Sequence, residues 1–514
     1  MRLITTAVIL AALTCLFIEF ARSANKHAVR FKPPHILEYV ESSGGLSDPQ
    51  WEGGRTELEM ADVDDDGNVD IISIGDHGSP YINTNEHGIM VYFGDGAGSW
   101  EVFMNGNFGY GGVALGDVNN DGYMDAGYAM HHNYSSNDFG DQLIEVALGD
   151  GTGQNWTPWD DGLATNGESW GMFGTDFADV DNDGDLDIAS NSFGAGSGVH
   201  VYLNQGDGSW VQSFGFLGGN STMDLVFGDV NADGNADFAV AHEDGMVYIG
   251  DGSGGFTLAD GNLPPPGWVG HYGPDLGDIN NDGYQDVSFV NEDGGVEVWA
   301  WAGSDTWTDV SDGLPSAGTY ELSQLCDMDV NGTVDLVAAG ERVVTVWKGD
   351  GTGNWNEAAE FMISGSPGYF NAFRVGADAD NNGYPDMVLL DEEGPWYNRI
   401  NHLRFYKESS IPGTLSIRVT SPRGYETLKI GSVRFISWTS GVPGGGDSSV
   451  DLEFSEDGPT GPWTPVAADL PNNGRFQWTV TADSTSTDCY IRATVTSGEE
   501  SRTSVTTLPF QVIE

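Results

Sequence analysis

Seven copies of one acidic nonapeptide begin at Asp62, Asp117, Asp179, Asp229, Asp278, Asp327 and Asp378, and divide two-thirds of the chain into units of 49 to 62 residues. They read DVDDDGNVD, DVNNDGYMD, DVDNDGDLD, DVNADGNAD, DINNDGYQD, DMDVNGTVD and DADNNGYPD. Positions 1, 3 and 5 are always Asp or Asn, position 6 is always Gly, and position 9 is always Asp. Whatever one of these loops does, the array repeats.

The donor set is that of an oxygen cage for a hard cation. Calcium takes six to eight oxygen ligands, and alternate residues of a tight loop can turn carboxylates inward while position 7 adds a carbonyl. Gly at position 6 allows the left-handed backbone that folds such a loop back on itself. The EF-hand loop is the nearest familiar pattern, but it needs a Glu at position 12 and flanking helices. Here the loops are followed by IISIG, AGYAM, IASNS, FAVAH, VSFVN, LVAAG and MVLLD, which predict strands. One acidic loop is equally well a soluble hairpin tip; seven in register point to a cation.

Each unit has one layout. An apolar strand such as Val113–Gly116 enters the loop, a second leaves it, and a third such as Gly88–Gly94 follows. A turn such as GDGAGSW or KGDGTGNW then opens a fourth. Four strands in about 50 residues is a propeller blade, so the fold class is all-β, a seven-bladed β-propeller. The segment His35–Leu46 reads as a fourth strand that precedes the first loop, while the last unit runs out after HLRFYKE. The amino-terminal strand is therefore expected to complete the seventh blade and leave no open edge.

These repeats resemble the FG-GAP or VCBS repeats of integrin alpha-chain propellers and of many secreted microbial proteins, over residues 35–408. The resemblance implies calcium, up to seven ions, held in the loops between first and second strands. The ligands it implies in the first four loops are Asp62, Asp64, Asp66, Asn68 and Asp70; Asp117, Asn119, Asp121, Tyr123 and Asp125; Asp179, Asp181, Asp183, Asp185 and Asp187; and Asp229, Asn231, Asp233, Asn235 and Asp237. In the last three they are Asp278, Asn280, Asp282, Tyr284 and Asp286; Asp327, Asp329, Asn331, Thr333 and Asp335; and Asp378, Asp380, Asn382, Tyr384 and Asp386. Position 7 contributes its backbone oxygen. Asn at position 5 makes the last two loops the weakest binders expected.

Residues 1–24 read as a secretory signal, with Arg2, the apolar run Leu3–Ile18 and small residues around Ser23 and Ala24; a retained single-span anchor is the alternative. Of three cysteines, Cys15 would leave with the signal, and Cys326 and Cys489 fall in different domains, so no disulfide framework is expected. The net charge of −59 stays near roughly −45 even with seven calcium ions bound. That charge disfavours nucleic acid and anionic membrane as partners, and no integral membrane domain is expected after signal cleavage.

After a linker at 409–415 the acidic repeat stops. Residues 416–514 give about seven short alternating runs, the pattern of a β-sandwich. It resembles the immunoglobulin-like or fibronectin-like modules that usually space or attach a partner domain. No catalytic group is evident in it.

The acidic loops and the GDG turns should share one face of the propeller. On the opposite face, the long connections Asp76–Gly88, His131–Asp141 and Asp391–Arg399 fall on blades 1, 2 and 7, which adjoin in a closed ring. Tyr81, His131, His132, Tyr134, Trp396 and Tyr397 in those loops are the candidate ligand-binding residues. Aromatics also enter most blades, at Trp51, Tyr110, Trp170, Trp268, Tyr272, Tyr320, Tyr369 and Phe370; they suit either stacking on a sugar or sealing one blade against the next. No HExxH or Cys-His arrangement appears. His131 and His132 suit either a base or an exposed polar loop, and Arg55, Arg342, Arg374 and Arg399 have no assignable partners. The reading is a secreted or cell-surface calcium-binding adhesion protein, with a glycan as favoured ligand. The alternatives are an extracellular carbohydrate-active enzyme of polysaccharide lyase type and a structural surface protein that binds other proteins.

Overall fold

The runs that flank each acidic loop are rich in Val, Ile, Phe and Tyr, which fit a pleated and buried surface, and they form strands throughout. The computed structural model describes residues 37–46, 55–74, 89–104, 110–131, 141–168, 171–192, 198–219, 221–265, 272–367, 372–394 and 400–514. Among these residues there is no helix, hence none long and apolar enough to cross a membrane. The expected signal, residues 1–24, lies outside them.

One sheet shows how all are built. Met172–Ala178, Asp187–Ser192, Val199–Asn204 and Trp210–Phe216 pair in sequence order as an antiparallel meander. The acidic loop joins its first two strands, and the GDG turn joins its last two. The same order recurs in sheets whose first strands are Leu58–Ala61, Tyr110–Gly116, Ser221–Gly228, Tyr272–Gly277 and Tyr320–Cys326. These repeated four-stranded sheets stand side by side in the manner of a propeller, the first strands of neighbours packing on one another.

Burial explains the texture of each strand. Second strands such as Asp70–Ile74 and Asp335–Gly340 are buried along their whole length, because a neighbouring sheet covers each face, so after the aspartate they read as largely apolar runs. The outer strand Trp210–Phe216 buries Trp210 and then alternates exposed and half-buried residues. The tryptophan after the GDG turn is a repeated anchor. The Nε1–H of Trp210 donates to Trp159 O, that of Trp307 to Ala259 O and that of Trp355 to Val310 O, each in the preceding sheet. The indole thus buries a large apolar body while its polar atom is satisfied.

The last sheet draws on both ends of the array. Phe373–Val375, Met387–Glu393 and Ile400–Glu408 are followed in space by Tyr39–Glu41, with Tyr39 opposite Glu408 and Glu41 opposite Tyr406. Leu37 and Tyr39 are buried with Val344, Phe373 and Tyr406, which contributes about 1.5–3 kcal/mol per side chain. Clusters of buried side chains lie between neighbouring sheets, and one joins the last to the first through Val388, Phe405, Ile71 and Tyr92.

The carboxy-terminal residues form two further sheets around one core. Ser416–Ser421, Val433–Gly441 and Arg475–Thr479 make the first. Thr427–Lys429, Phe510–Ile513, Ser486–Ser497, Ser449–Ser455, Thr464–Pro471 and Glu500–Val505 make the second. Trp438, Phe454, Trp478, Ile491 and Phe510 fill the space between. Thr427–Lys429 and Glu500–Val505 go beyond the runs read from the sequence. The second is largely exposed and polar, so it carries no apolar alternation to read.

Candidate metal centres

The seven loops share one hydrogen-bonded frame. The carboxylate at position 1 accepts from the N–H groups of positions 5 and 6, as Asp179 does from Asp183 (3.1 Å) and Gly184 (3.1 Å) and Asp327 does from Asn331 (2.9 Å) and Gly332 (2.7 Å). The side-chain oxygen at position 5 accepts from the N–H of position 7, as Asp66 does from Asn68 at 2.8 Å. Position 9 is buried in every loop and staples it to the sheet. Asp187 accepts from Val180 N–H at 2.8 Å and from Asn204 N–H on the third strand at 2.8 Å, and Asp70, Asp125, Asp237, Asp286, Asp335 and Asp386 do the same in their own sheets.

Gly at position 6 adopts positive φ, as at Gly184 (99°). Position 4 does so as well, a feature the sequence reading missed: Asp65, Asn120, Asn182, Ala232, Asn281, Val330 and Asn381 have φ of 54 to 62°. Four of these seven are Asn, which tolerates that region; the signal was in the sequence.

Position 3 separates the loops into two kinds. In the second and fourth loops the amides of Asn119 and Asn231 donate to the position-5 carboxylates at 2.9 and 3.1 Å, and their oxygens accept the position-5 N–H. In the fifth, Asn280 Oδ1 accepts from Asp282 N–H at 2.9 Å. Where position 3 is Asp, three carboxylates meet instead. Asp62, Asp64 and Asp66; Asp179, Asp181 and Asp187; Asp327, Asp329 and Asp335; and Asp378, Asp380 and Asp386 each bring ligand oxygens within 4.8 Å of one another. In all four clusters one oxygen of the position-3 carboxylate is buried with no hydrogen-bond partner: Oδ1 of Asp64, Asp181, Asp329 and Asp380.

An orphaned, buried carboxylate oxygen beside two further carboxylates costs free energy unless a cation meets it. The protein alone shows that cost. Burial, reinforced by Asp183 and Asp179, lifts the Asp181 carboxyl to about 6. Burial, opposed by hydrogen bonds from Gly67 and Asn473, lifts Asp62 to about 6. Burial, reinforced by Asp329 and Asp327, lifts Asp335 to about 8. The all-oxygen donor set fits a hard divalent ion. The clusters of the first and third loops can hold a metal; in the sixth and seventh a lysine ammonium already pairs with the position-3 carboxylate.

The carboxy-terminal sheets lie over these loops and touch every one. Asn473 Nδ2 donates to Asp62 (3.3 Å), and Gln477 brackets Asp117, accepting from its N–H (3.0 Å) and donating to its carbonyl (2.8 Å). Val433 N–H donates to Asp179 (3.0 Å), and Arg434 donates to Gly234 O (2.8 Å) beside a contact of Lys429 with Asn235. Arg423 reaches Asp278 O (3.5 Å), Arg418 contacts Val330 O, and Val442 N–H donates to Asn381 O (2.9 Å). Cations concentrated on this side face the most acidic part of the chain.

Near the axis the first strands carry charged and amide groups that tie sheet to sheet. Asp176 accepts from Phe227 N–H (2.9 Å), Asp275 from Leu325 N–H (2.7 Å), and Gln324 from Val375 N–H (2.8 Å). Arg374 donates through Nε to Glu59 at 3.0 Å. Arg475 enters from the carboxy-terminal sheets, its guanidinium 3.4 Å from the Phe435 ring centroid; burial pulls it down to about 10.

Of the proposed ligand-binding residues, Tyr81, His132, Tyr134, Trp396 and Tyr397 lie outside the described residues. His131 is half-buried, its ring 5.9 Å from that of Phe173 and its carbonyl accepting from Gly171 N–H. Among the blade-entering aromatics, Tyr320 packs edge-on against Trp347 at 5.4 Å and shares a hydrogen bond with Thr345, a packing role.

A model of the FG-GAP-like repeat matches residues 179–240 and 327–389, segments that contain the third, fourth, sixth and seventh loops. No curated protein sequence matches the chain. Among solved structures, the Tc holotoxin pore of Photorhabdus luminescens is similar at 11% identity and a TM-score of 0.37; the match covers 89% of this chain and 20% of the toxin chain. This chain thus spans a fifth of that relative's length. A Lactobacillus plantarum protein is similar at 14% identity and a TM-score of 0.41, covering 62% of this chain and 87% of its own. AofleA from Arthrobotrys oligospora is similar at 11% identity and a TM-score of 0.37, covering 66% and 93%.

Proposed function

We propose that the chain is an exported or cell-surface, calcium-binding recognition protein: a seven-bladed propeller with an immunoglobulin- or fibronectin-like β-sandwich, whose favoured ligand is a glycan. The observation that carries this reading is the docking of the carboxy-terminal sheets on all seven acidic loops. That face is occupied from within the chain, which leaves the opposite ends of the strands, where Ile74, Met130 and Glu393 close their second strands, as the surface for a partner. FG-GAP-like repeats favour an extracellular setting. The charge of −59 favours a neutral or cationic partner over an anionic one.

Calcium is architectural in this reading. Asp62, Asp64 and Asp66, and Asp179, Asp181 and Asp187, hold it where carboxylates would otherwise repel. The ion supplies charge neutralisation and cross-bracing between loop and sheet, and no chemical step. The sandwich rests on the loops and is positioned by them.

The test is retention of the calcium-loaded protein on a broad panel of immobilised glycans, with the eluate assayed for released oligosaccharide. Retention without release is the expected result, weakened by Trp396→Ala and Tyr134→Ala. Release would move the protein to the carbohydrate-active enzymes. Absence of both on every glycan would overturn the glycan reading in favour of a protein partner.

A further inference from the structure

The residue just before the third-strand N–H that binds position 9 occupies the same place in every sheet. It is Phe93, Leu148, Leu203, Ile249 and Ala300 in the first five sheets, and Lys348 and Lys407 in the last two. Both lysines turn onto the acidic loop of their own sheet. Lys348 pairs with Asp329, and Lys407 Nζ lies 3.2 Å from Asp380, in each case the position-3 carboxylate. Those carboxylates are buried, their side chains 9% and 8% exposed.

A second departure falls on the same two loops. Position 5 is Asp in the first five and Asn in the sixth and seventh, at Asn331 and Asn382. In the seventh, the Asn382 amide is engaged elsewhere, donating to Glu408 O at 2.7 Å and Ser410 O at 3.2 Å. Each of these loops has therefore lost one anion and gained one cation. An ammonium group is a compact point charge with three donors, able to meet carboxylate oxygens much as a small cation does.

We propose that Lys348 and Lys407 take the place of the metal ion in the sixth and seventh loops, so that calcium dependence is confined to the first five sheets. The last two sheets, with the seam where Tyr39–Glu41 joins Ile400–Glu408, are held by cations the chain carries itself. The inference rests on the calcium reading above and narrows it from seven ions to at most five. The first and third loops, with a three-carboxylate cluster and no lysine, are the principal sites.

The full-length protein is dialysed against calcium and its bound metal counted, alone and as the Lys348→Met, Lys407→Met double variant. At most five equivalents in the native protein, rising by two in the variant, is the expected result. Seven equivalents in the native protein, or an unchanged count in a folded variant, would overturn the lysine assignment and leave calcium binding intact. No bound calcium in either would overturn both. If the variant does not fold, hydrogen exchange of the native protein decides. Moving from calcium at 100 times its Kd to chelator should speed exchange at the Gly94 and Asn204 amides by about 100-fold, and leave Gly349 and Glu408 unchanged. Equal acceleration at all four sinks the proposal.

Discussion

Arg374, on the first strand of the last sheet, donates to Glu59 on the first strand of the first sheet, closing the axis by a charge pair between residues far apart in the chain. Burial raises the Glu59 carboxyl while Arg374 lowers it, and Glu59, Asp176 and Asp275 together raise Arg374 against its own burial. Arg374→Met removes the hydrogen-bonded partner of Glu59, whose side chain is 12% exposed in the intact pair, and leaves Arg475 as the remaining cation that favours its carboxylate. Arg374 itself is 36% exposed, so water moderates the loss to about 2 kcal/mol, below the 3–5 kcal/mol of a dry pair. Urea unfolding checks this, and adding Glu59→Leu should restore most of the loss.

Chelation should make stability pH-dependent in one direction. Burial raises Asp70, Asp125, Asp237 and Asp335 to about 8, and Asp62 and Asp181 to about 6, from ordinary values near 3.8. A carboxyl raised in the folded state favours the fold most below its unfolded pKa, and that contribution is lost as pH rises through the folded value. Melting temperature in chelator should therefore fall as pH rises from about 4 to about 8, and flatten when calcium is added. A metal-free melting temperature that rises over this interval would contradict the burial of these groups.

Val330 holds position 4 of the sixth loop at φ 54°, a conformation unfavourable to a β-branched residue. Val330→Asn should stabilise the protein by about 1 kcal/mol, and Asn120→Val in the second loop should cost as much. Thermal melts of both variants in calcium test the pair.

The two carboxy-terminal sheets should stay bound to the array after the connecting chain is cut. Residues 409–411, 413 and 414 are exposed, with Ile411 at 88%, and suit limited proteolysis. The fragments are expected to co-elute by size exclusion, and to separate when Arg434→Ala and Gln477→Ala are combined, because those side chains bind the fourth and second loops. Separation of the unmutated fragments would show that the hydrogen bonds do not suffice.

The sequence made the loops, the order of strands and the closing role of residues 35–46 legible because each is local or periodic. Two features were not. The lysine contacts depend on the third strand folding back on its loop, and neither Lys348 nor Lys407 belongs to the repeated motif. Reading Asn331 and Asn382 alone ranked their loops as weak calcium sites and did not supply the ammonium groups. Docking of the carboxy-terminal sheets rests on scattered residues such as Arg418, Lys429 and Gln477, which have no spacing that distinguishes them from an ordinary polar surface.

The pairing of Tyr39 with Glu408 also sets a timetable. Tyr39–Glu41, the first of the described strands to be made, has its partner among the last residues of the array, so it waits, unpaired and partly apolar, while every intervening sheet is synthesised. Closure is thus a contact of very high sequence separation, which is slow to form and exposes an edge until it does. A chain interrupted before Ile400 would present that edge and an uncovered last sheet to its surroundings, the condition in which arrays of like sheets pair with the wrong copy.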